Sequence, residues 1–243
     1  MYHVYSDDSS MIQEHTSDPA NFPDQDQKSS TIRRRTVFRQ FFAAAGLAVS
    51  GVALTTIFDK EAAANHPRPQ SIRDQLRSVQ KHENDHVAFL VSALGSSARP
   101  KPTFKNLRSS NQHNFLSLGR TFENVGVGAY LGAAPAIFSP SILAAAGSIA
   151  TVESRHAGFF NNLQLKNVTE NAFGQQQSFE RAFTVEEVVK FAEPYLQSLN
   201  GGPALTFSTE RSAANDTAIL NFALALEYLE AEFYNINVPR FYR

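Results

Sequence analysis

The 243-residue sequence contains no cysteine and no tryptophan. Without cysteine there is no disulfide framework, no thiol nucleophile, no iron–sulfur cluster and no thiolate zinc site. Any metal must therefore be held by His, Asp or Glu, and any nucleophile must be oxygen or nitrogen. A cysteine-free chain also suits an oxidising compartment. Excess charge is missing as well. The 22 Lys+Arg against 23 Asp+Glu leave a net charge of −1, which removes the basic footprint of a nucleic-acid binder. No phosphate-cradling glycine loop and no serine triad is visible, and strand signals are scarce. What the sequence does hold is 20 Phe and seven Tyr within 42% hydrophobic residues, the makings of a packed aromatic core.

The first 70 residues differ from the rest. Residues 1–32 are rich in Asp, Ser, Gln and His with no apolar period, which reads as a disordered leader. Arg33, Arg34 and Arg35 then precede an 18-residue apolar run, 41–58, and Ala62-Ala63-Ala64 follows as a small-residue cleavage pattern. Basic, apolar and small in that order is an export signal. The stretch Arg34-Arg35-Thr36-Val37-Phe38 resembles the twin-arginine address. The run is long enough to be a candidate membrane span, but Gly46, Ser50, Gly51, Thr55 and Thr56 make it a poor one. A retained N-terminal anchor is the alternative. Cleavage after Ala64 leaves 65–243, one domain's worth of chain.

Helical spacing dominates that domain. Ile72, Leu76, Val79, Val87, Leu90 and Leu94 predict a helix over 71–94, opened by Ser71 with Asp74 and closed by Gly95. Phe115, Leu116, Phe122, Val127 and Tyr130 predict a second over 112–131, broken at Gly132-Ala133-Ala134-Pro135. A third covers 140–163 through Ile142, Leu143, Ile149, Val152, Phe159 and Phe160. Thr184-Val185-Glu186-Glu187 boxes a shorter helix, bent near Pro194 and stopped at Asn200-Gly201-Gly202. The last long helix covers 216–235 with Ile219, Leu220, Phe222, Leu224, Leu226, Leu229 and Phe233. Four helices of about 20 residues, each ~30 Å long, make one antiparallel bundle. The fold class is all-α.

Certain charged residues fall on the apolar faces. Glu83 shares its face with Leu76, Val79, Val87 and Leu90, and His86 stands three residues on. Glu123 lies with Leu116, Gly119, Val127 and Tyr130. Glu153 lies with Ile142, Ala146 and Ile149, again with a histidine, His156, three residues on. Glu227 follows Leu220 and Ala223 and precedes Ala231 and Tyr234, with Glu230 on nearly the same face. A buried, unpaired ion costs several kcal/mol, so these carboxylates must be neutralised, paired or metal-bound. Arg and Lys are absent from the stripes. Neutral imidazole with carboxylate is instead a donor set for divalent iron, manganese or zinc, and two divalent ions balance four carboxylates. A single Glu or His on a helix is ordinarily solvated or hydrogen-bonded. Two Glu-x-x-His pairs plus one inward Glu on each of two further helices form a constellation. His3, His15, His66 and His113 lack carboxylate partners at ligand spacing, and His82 lies off the Glu83/His86 axis.

That constellation is the ligand pattern of ferritin-like carboxylate bundles. The stretches ENDHVAFLVSAL from Glu83, FENVGVGAYLGAA from Phe122, VESRHA from Val152 and ILNFALALEYLEAEFY from Ile219 resemble the exported ferritin-like-domain family that includes plant desiccation-related proteins. The resemblance covers 71–163 and 217–234. It implies that Glu83/His86 and Glu153/His156 are metal-binding pairs, and that Glu123 and Glu227 are bridging carboxylates. It also implies that Tyr130 and Tyr234 stand near the metal, and that Glu230 replaces Glu227 or bonds behind it. Two divalent ions, Fe or Mn, are the implied cofactors, with dioxygen or peroxide as the partner. In the family the LEYLEAEFY helix comes first, whereas here it comes last. The readings are a circular permutation or a rearranged or truncated gene whose last helix opens a second copy. The chain has one of each helix, and 33–58 offers no carboxylate to replace Glu227, which favours permutation. Three functions follow as expectations: an exported di-metal protein of oxidant or stress protection, a metal-free structural or stress-protective bundle, and a membrane-anchored module resting on 41–58 alone.

Overall fold

The computed structural model describes residues 71–243. The leader, the twin-arginine-like motif, the apolar run 41–58 and the cleavage pattern at Ala64 lie outside the described residues. Helix α1 is Ile72–Leu94, α2 is Gln112–Ala133, α3 is Pro140–Leu163, α4 is Val185–Ala192 and α5 is Ala213–Phe241. Strand β1, Thr103–Phe104, pairs antiparallel with β2, Leu196–Ser198.

The helix starts follow local chemistry. The Asp74 N–H donates to Ser71 Oγ at 3.2 Å while the Ser71 N–H donates to the Asp74 carboxylate at 3.3 Å, so the expected box opens α1. Gly95, at φ 54°, ends it. Thr184 and Glu187 form the same reciprocal pair at α4. The start of α5 lies earlier than the sequence spacing suggests, because Ser212 rather than Asp216 caps it. Asp216 looks elsewhere: its carboxylate accepts from the Phe138 and Ser139 N–H groups at 2.7 and 2.9 Å, tying α5 to the approach of α3.

In packing, α1 lies against α5, α2 against α3, and α2 meets α5. Two apolar clusters draw on all four. One contains Leu90 and Leu94 of α1, Ala133 of α2, Ile142 and Ile149 of α3, and Ile219 and Leu224 of α5. The other contains Leu76 and Val79, Phe115 and Phe122, Phe160, and Phe233, Tyr234 and Val238. Full burial of a Leu or Phe of this kind contributes about 1.5–3 kcal/mol. The inward carboxylates fall between the two clusters along every helix, where apolar matter on both sides keeps water out.

A third cluster differs from the sequence expectation. Phe183 and Val188 cover Val125 and Ala129 of α2 and Phe222 of α5, so the long connection after α3 folds back as a covering layer. This explains why α5 is apolar around nearly its whole circumference: it is packed on both sides. It also revises the role of Gly132, which the sequence marks as a helix breaker. Gly132 lies inside α2, and a Cβ there would overlap the Phe183 carbonyl oxygen. The Phe183 N–H donates to the Gly128 carbonyl at 2.9 Å along the same bare face. Arg120, half-buried, ties the connection down further, donating to Asn161 Oδ1 at 2.7 Å and to Glu170 Oε1 at 2.8 Å. Among the described residues no helix is long and apolar enough to cross a membrane.

Candidate metal centre

Spacing of three residues puts Glu83 and His86 on one face of α1, and Glu153 and His156 on one face of α3. Glu123 enters from α2 and Glu227 from α5. All six are buried, with Glu83 and Glu123 at 0% exposure and Glu153 at 1%. No water shell can therefore carry their charge.

Their donor atoms converge on two points. Around His86 Nδ1 stand Glu153 Oε1 at 3.0 Å, Glu227 Oε2 at 3.2 Å and Glu83 Oε2 at 3.3 Å. Around His156 Nδ1 stand Glu83 Oε1 at 3.0 Å and Glu123 Oε2 at 3.1 Å. An imidazole Nδ1 carries at most one hydrogen and cannot satisfy several oxygens. Glu83 Oε1 and both oxygens of Glu153 receive no well-directed hydrogen bond. Donor atoms of Glu83, His86, Glu153 and Glu227 all lie within 4.8 Å of one another, as do those of Glu83, Glu123, Glu153 and His156. In each group a single imidazole nitrogen faces more carboxylate oxygens than it can satisfy. Imidazole nitrogen and carboxylate oxygen in this ratio suit a divalent transition ion.

The grouping divides the carboxylates unevenly. Glu83 and Glu153 belong to both groups, whereas Glu123 belongs only with His156 and Glu227 only with His86. The shared carboxylates are those of the two Glu-x-x-His pairs. Helix spacing shows which way a residue faces, but this division depends on how four helices are rotated against one another.

The two tyrosines hold the unshared carboxylates crosswise. Tyr130 of α2 donates to Glu227 of α5 at 2.6 Å, and Tyr234 of α5 donates to Glu123 of α2. Burial, then the adjacent Glu227 and Glu123 respectively, push both phenols well above their ordinary range, so they remain donors. Glu230 is buried with Oε2 unpartnered and belongs to neither group. Burial and then four neighbouring carboxylates, Glu153 first, raise it well above a normal carboxyl.

Protons collect where positive charge is wanted. Burial and then Glu153 push Glu83 up to about 6, and burial and then Glu123 and Glu227 push Glu153 up to about 8. Burial also raises Glu123. Glu227 goes the other way, because His86 and the Tyr130 hydroxyl outweigh its desolvation. Desolvation likewise disfavours the charged imidazoles, but Glu227, Glu153 and Glu83 outweigh it at His86, as Glu123 and Glu83 do at His156. Both are held protonated far above the normal histidine range.

One neighbour escapes the sequence reading. His82 Nδ1 lies 2.9 Å from His156 Nε2, with the rings within 6° of parallel. On α1 alone His82 is off the Glu83/His86 axis; it meets α3, and no single-helix projection carries that signal.

Comparison with known families shows the ferritin-like domain matching residues 39–166, a span that takes in Glu83, His86, Glu123, Glu153 and His156 and ends before α5. No curated protein and no solved structure matches the chain. A buried carboxylate–histidine cluster on packed helices and a family match over half the sequence agree: the chain belongs to the ferritin-like domain family.

Proposed function

We propose that this is an exported ferritin-like four-helix bundle that holds two divalent ions, Fe or Mn, and acts on dioxygen or peroxide in oxidant or stress protection. The carrying observation is the pair of donor groups that share Glu83 and Glu153, with Glu83 Oε1 and both Glu153 oxygens receiving no directed hydrogen bond. His86 with Glu227 would complete one site and His156 with Glu123 the other. When bound, such ions supply the electrons for reducing an oxygen species and the positive charge that four carboxylates require.

The chain's own residues prepare that chemistry. Tyr130 and Tyr234 fix one oxygen of each unshared carboxylate, leaving the other directed at its histidine. Leu90, Ile149 and Leu224 on one side, and Phe115, Phe160 and Phe233 on the other, exclude water from the layer between.

Two further parts of the reading rest on sequence order. The family match stops at residue 166, yet Glu227 of α5 stands 3.2 Å from His86, which supports α5 as the permuted counterpart of the family's first helix. The Arg34-Arg35 motif supports export of a folded chain through the twin-arginine route.

Elemental analysis of protein made with its own leader tests the metal reading. Expected is about two equivalents of Fe or Mn per chain and metal-dependent consumption of peroxide, both lost in Glu153→Ala. Metal content no higher than in Glu153→Ala would sink the reading and leave a structural, metal-free bundle. Replacing Arg34 and Arg35 by Lys should retain the protein inside the cell, and unchanged secretion would refute the export route.

A further inference from the structure

We propose that His82 is a positioning residue for one half of the site only: it accepts a hydrogen bond from His156 Nε2 and so presents the Nδ1 lone pair of His156 to a divalent ion. The inference rests on the two-ion reading above. It begins from the geometry of the two rings. His156 directs Nδ1 at Glu83 and Glu123, at 3.0 and 3.1 Å, and directs Nε2 at His82 Nδ1, at 2.9 Å.

A histidine that binds metal through Nδ1 must keep its proton on Nε2 and needs an acceptor there. His82 Nδ1 is that acceptor. It serves equally when His156 carries both protons and when an ion has displaced the Nδ1 proton, because the Nε2–H is present in both. The ring is therefore held in one orientation before and after loading. His82 carries its own proton on Nε2 as a consequence.

The choice of partner suits the charge count. The metal-ligating histidine commonly leans on a carboxylate or a backbone carbonyl. A carboxylate at position 82 would add negative charge beside Glu83, Glu123 and Glu153, which are already buried together. A neutral imidazole accepts the same hydrogen bond without that charge. The two rings lie within 6° of one plane with centroids 5.2 Å apart, the edge-to-edge placement that an in-plane hydrogen bond between ring nitrogens requires. His86 is placed differently: its Nδ1 is surrounded by Glu83, Glu153 and Glu227, and it lies tilted 31° to His156 at 6.5 Å between centroids. The support given by His82 is thus specific to the group containing Glu123.

The test isolates each half in the full-length, metal-depleted chain and titrates it with Co(II), followed by absorption in the visible region. Glu227→Gln leaves the His156 group complete, and Glu123→Gln leaves the His86 group complete. In the Glu227→Gln background, His82→Leu should weaken Co(II) binding by about 10- to 100-fold and alter the ligand-field bands. His82→Asn, whose side-chain oxygen can accept at the position of Nδ1, should restore binding to within about threefold of its parent. In the Glu123→Gln background the same His82→Leu change should leave affinity within about twofold, which a general loss of packing would not do. Equal losses in both backgrounds, or no loss in the Glu227→Gln background, would overturn the role of His82 while leaving the two-ion reading intact. A wild-type chain that takes up no Co(II) would overturn the two-ion reading and this inference with it.

Discussion

The His86 half and the His156 half of the centre are built from the same parts in different surroundings. Each has one histidine, one unshared glutamate and one tyrosine, and both draw on Glu83 and Glu153. The His156 half is the more enclosed. Its tyrosine, Tyr234, is fully buried among Phe115, Phe160 and Phe233, and its histidine leans on His82. The His86 half has a partly exposed tyrosine, Tyr130, and borders the small-residue face formed by Gly126, Ala129 and Ala223, where Glu230 also stands. Equal donors in unequal surroundings should give two sites of unequal affinity, with the enclosed half the tighter. Outer partners of this kind shift metal affinity by about 10- to 100-fold.

The largest break in that comparison removes what the halves share. Glu83→Gln and Glu153→Gln should each weaken both sites by more than about 100-fold, since loss of a ligand exceeds loss of its outer partner. Metal-binding isotherms that still show one intact site would assign the shared role elsewhere. Next come the unshared carboxylates. Glu123→Gln and Glu227→Gln should each abolish one equivalent and spare the other, read by metal stoichiometry after desalting.

Acidity offers a third approach. In the metal-free chain Glu83 and Glu153 have folded values raised to about 6 and about 8, above the ordinary carboxylate value. A raised value contributes stability that is complete below the unfolded value and is lost as pH rises through the folded one. The raised histidines act in the same direction. The melting temperature of the metal-free chain should therefore fall from about pH 4.5, the ordinary carboxylate value, to about pH 8, and Glu153→Gln should flatten that slope. Metal affinity should rise over the same interval, because binding releases these protons. Thermal melts and metal titrations across that range check both signs.

The smallest expected effects sharpen the crosswise tyrosines. Tyr234→Phe should weaken the half containing His156, and Tyr130→Phe the half containing His86, by about tenfold each. Each change crosses from the helix of one unshared glutamate to that of the other. Isotherms in which Tyr130→Phe affects the Glu123 site instead would contradict the observed pairing.

What the sequence reveals here is the direction in which residues face. Glu83 with Val79 and Leu90, and Glu153 with Ile149 and Phe160, are legible because a helix's period fixes its faces. The capping boxes at Ser71 and Thr184 are legible for a similarly local reason. Contacts between elements are not. Gly132 reads as a breaker until Phe183 is seen lying across it, and the sequence of α5 carries no sign that Phe183 and Val188 pack with its Phe222. The sharing of Glu83 and Glu153, and the approach of His82 to His156, depend on rotations between helices that no single-strand pattern encodes.

The pairing of α1 with α5 carries a consequence for the order of folding. Helices α2 and α3 are joined by a short turn and meet through local contacts, so they can form a hairpin early. Helix α1 has its main partner at the far end of the sequence, and closing that loop is slow because chain entropy is lost before the contacts are gained. Until α5 docks, Glu83 and Glu153 lack Glu227 opposite them and Glu123 lacks the Tyr234 hydroxyl. Refolding should therefore proceed in two kinetic phases, a fast gain of helicity and a slower step in which the tyrosines become buried. The slower step brings in Glu227 and the Tyr234 hydroxyl, so the group around His86, which needs Glu227, is completed last.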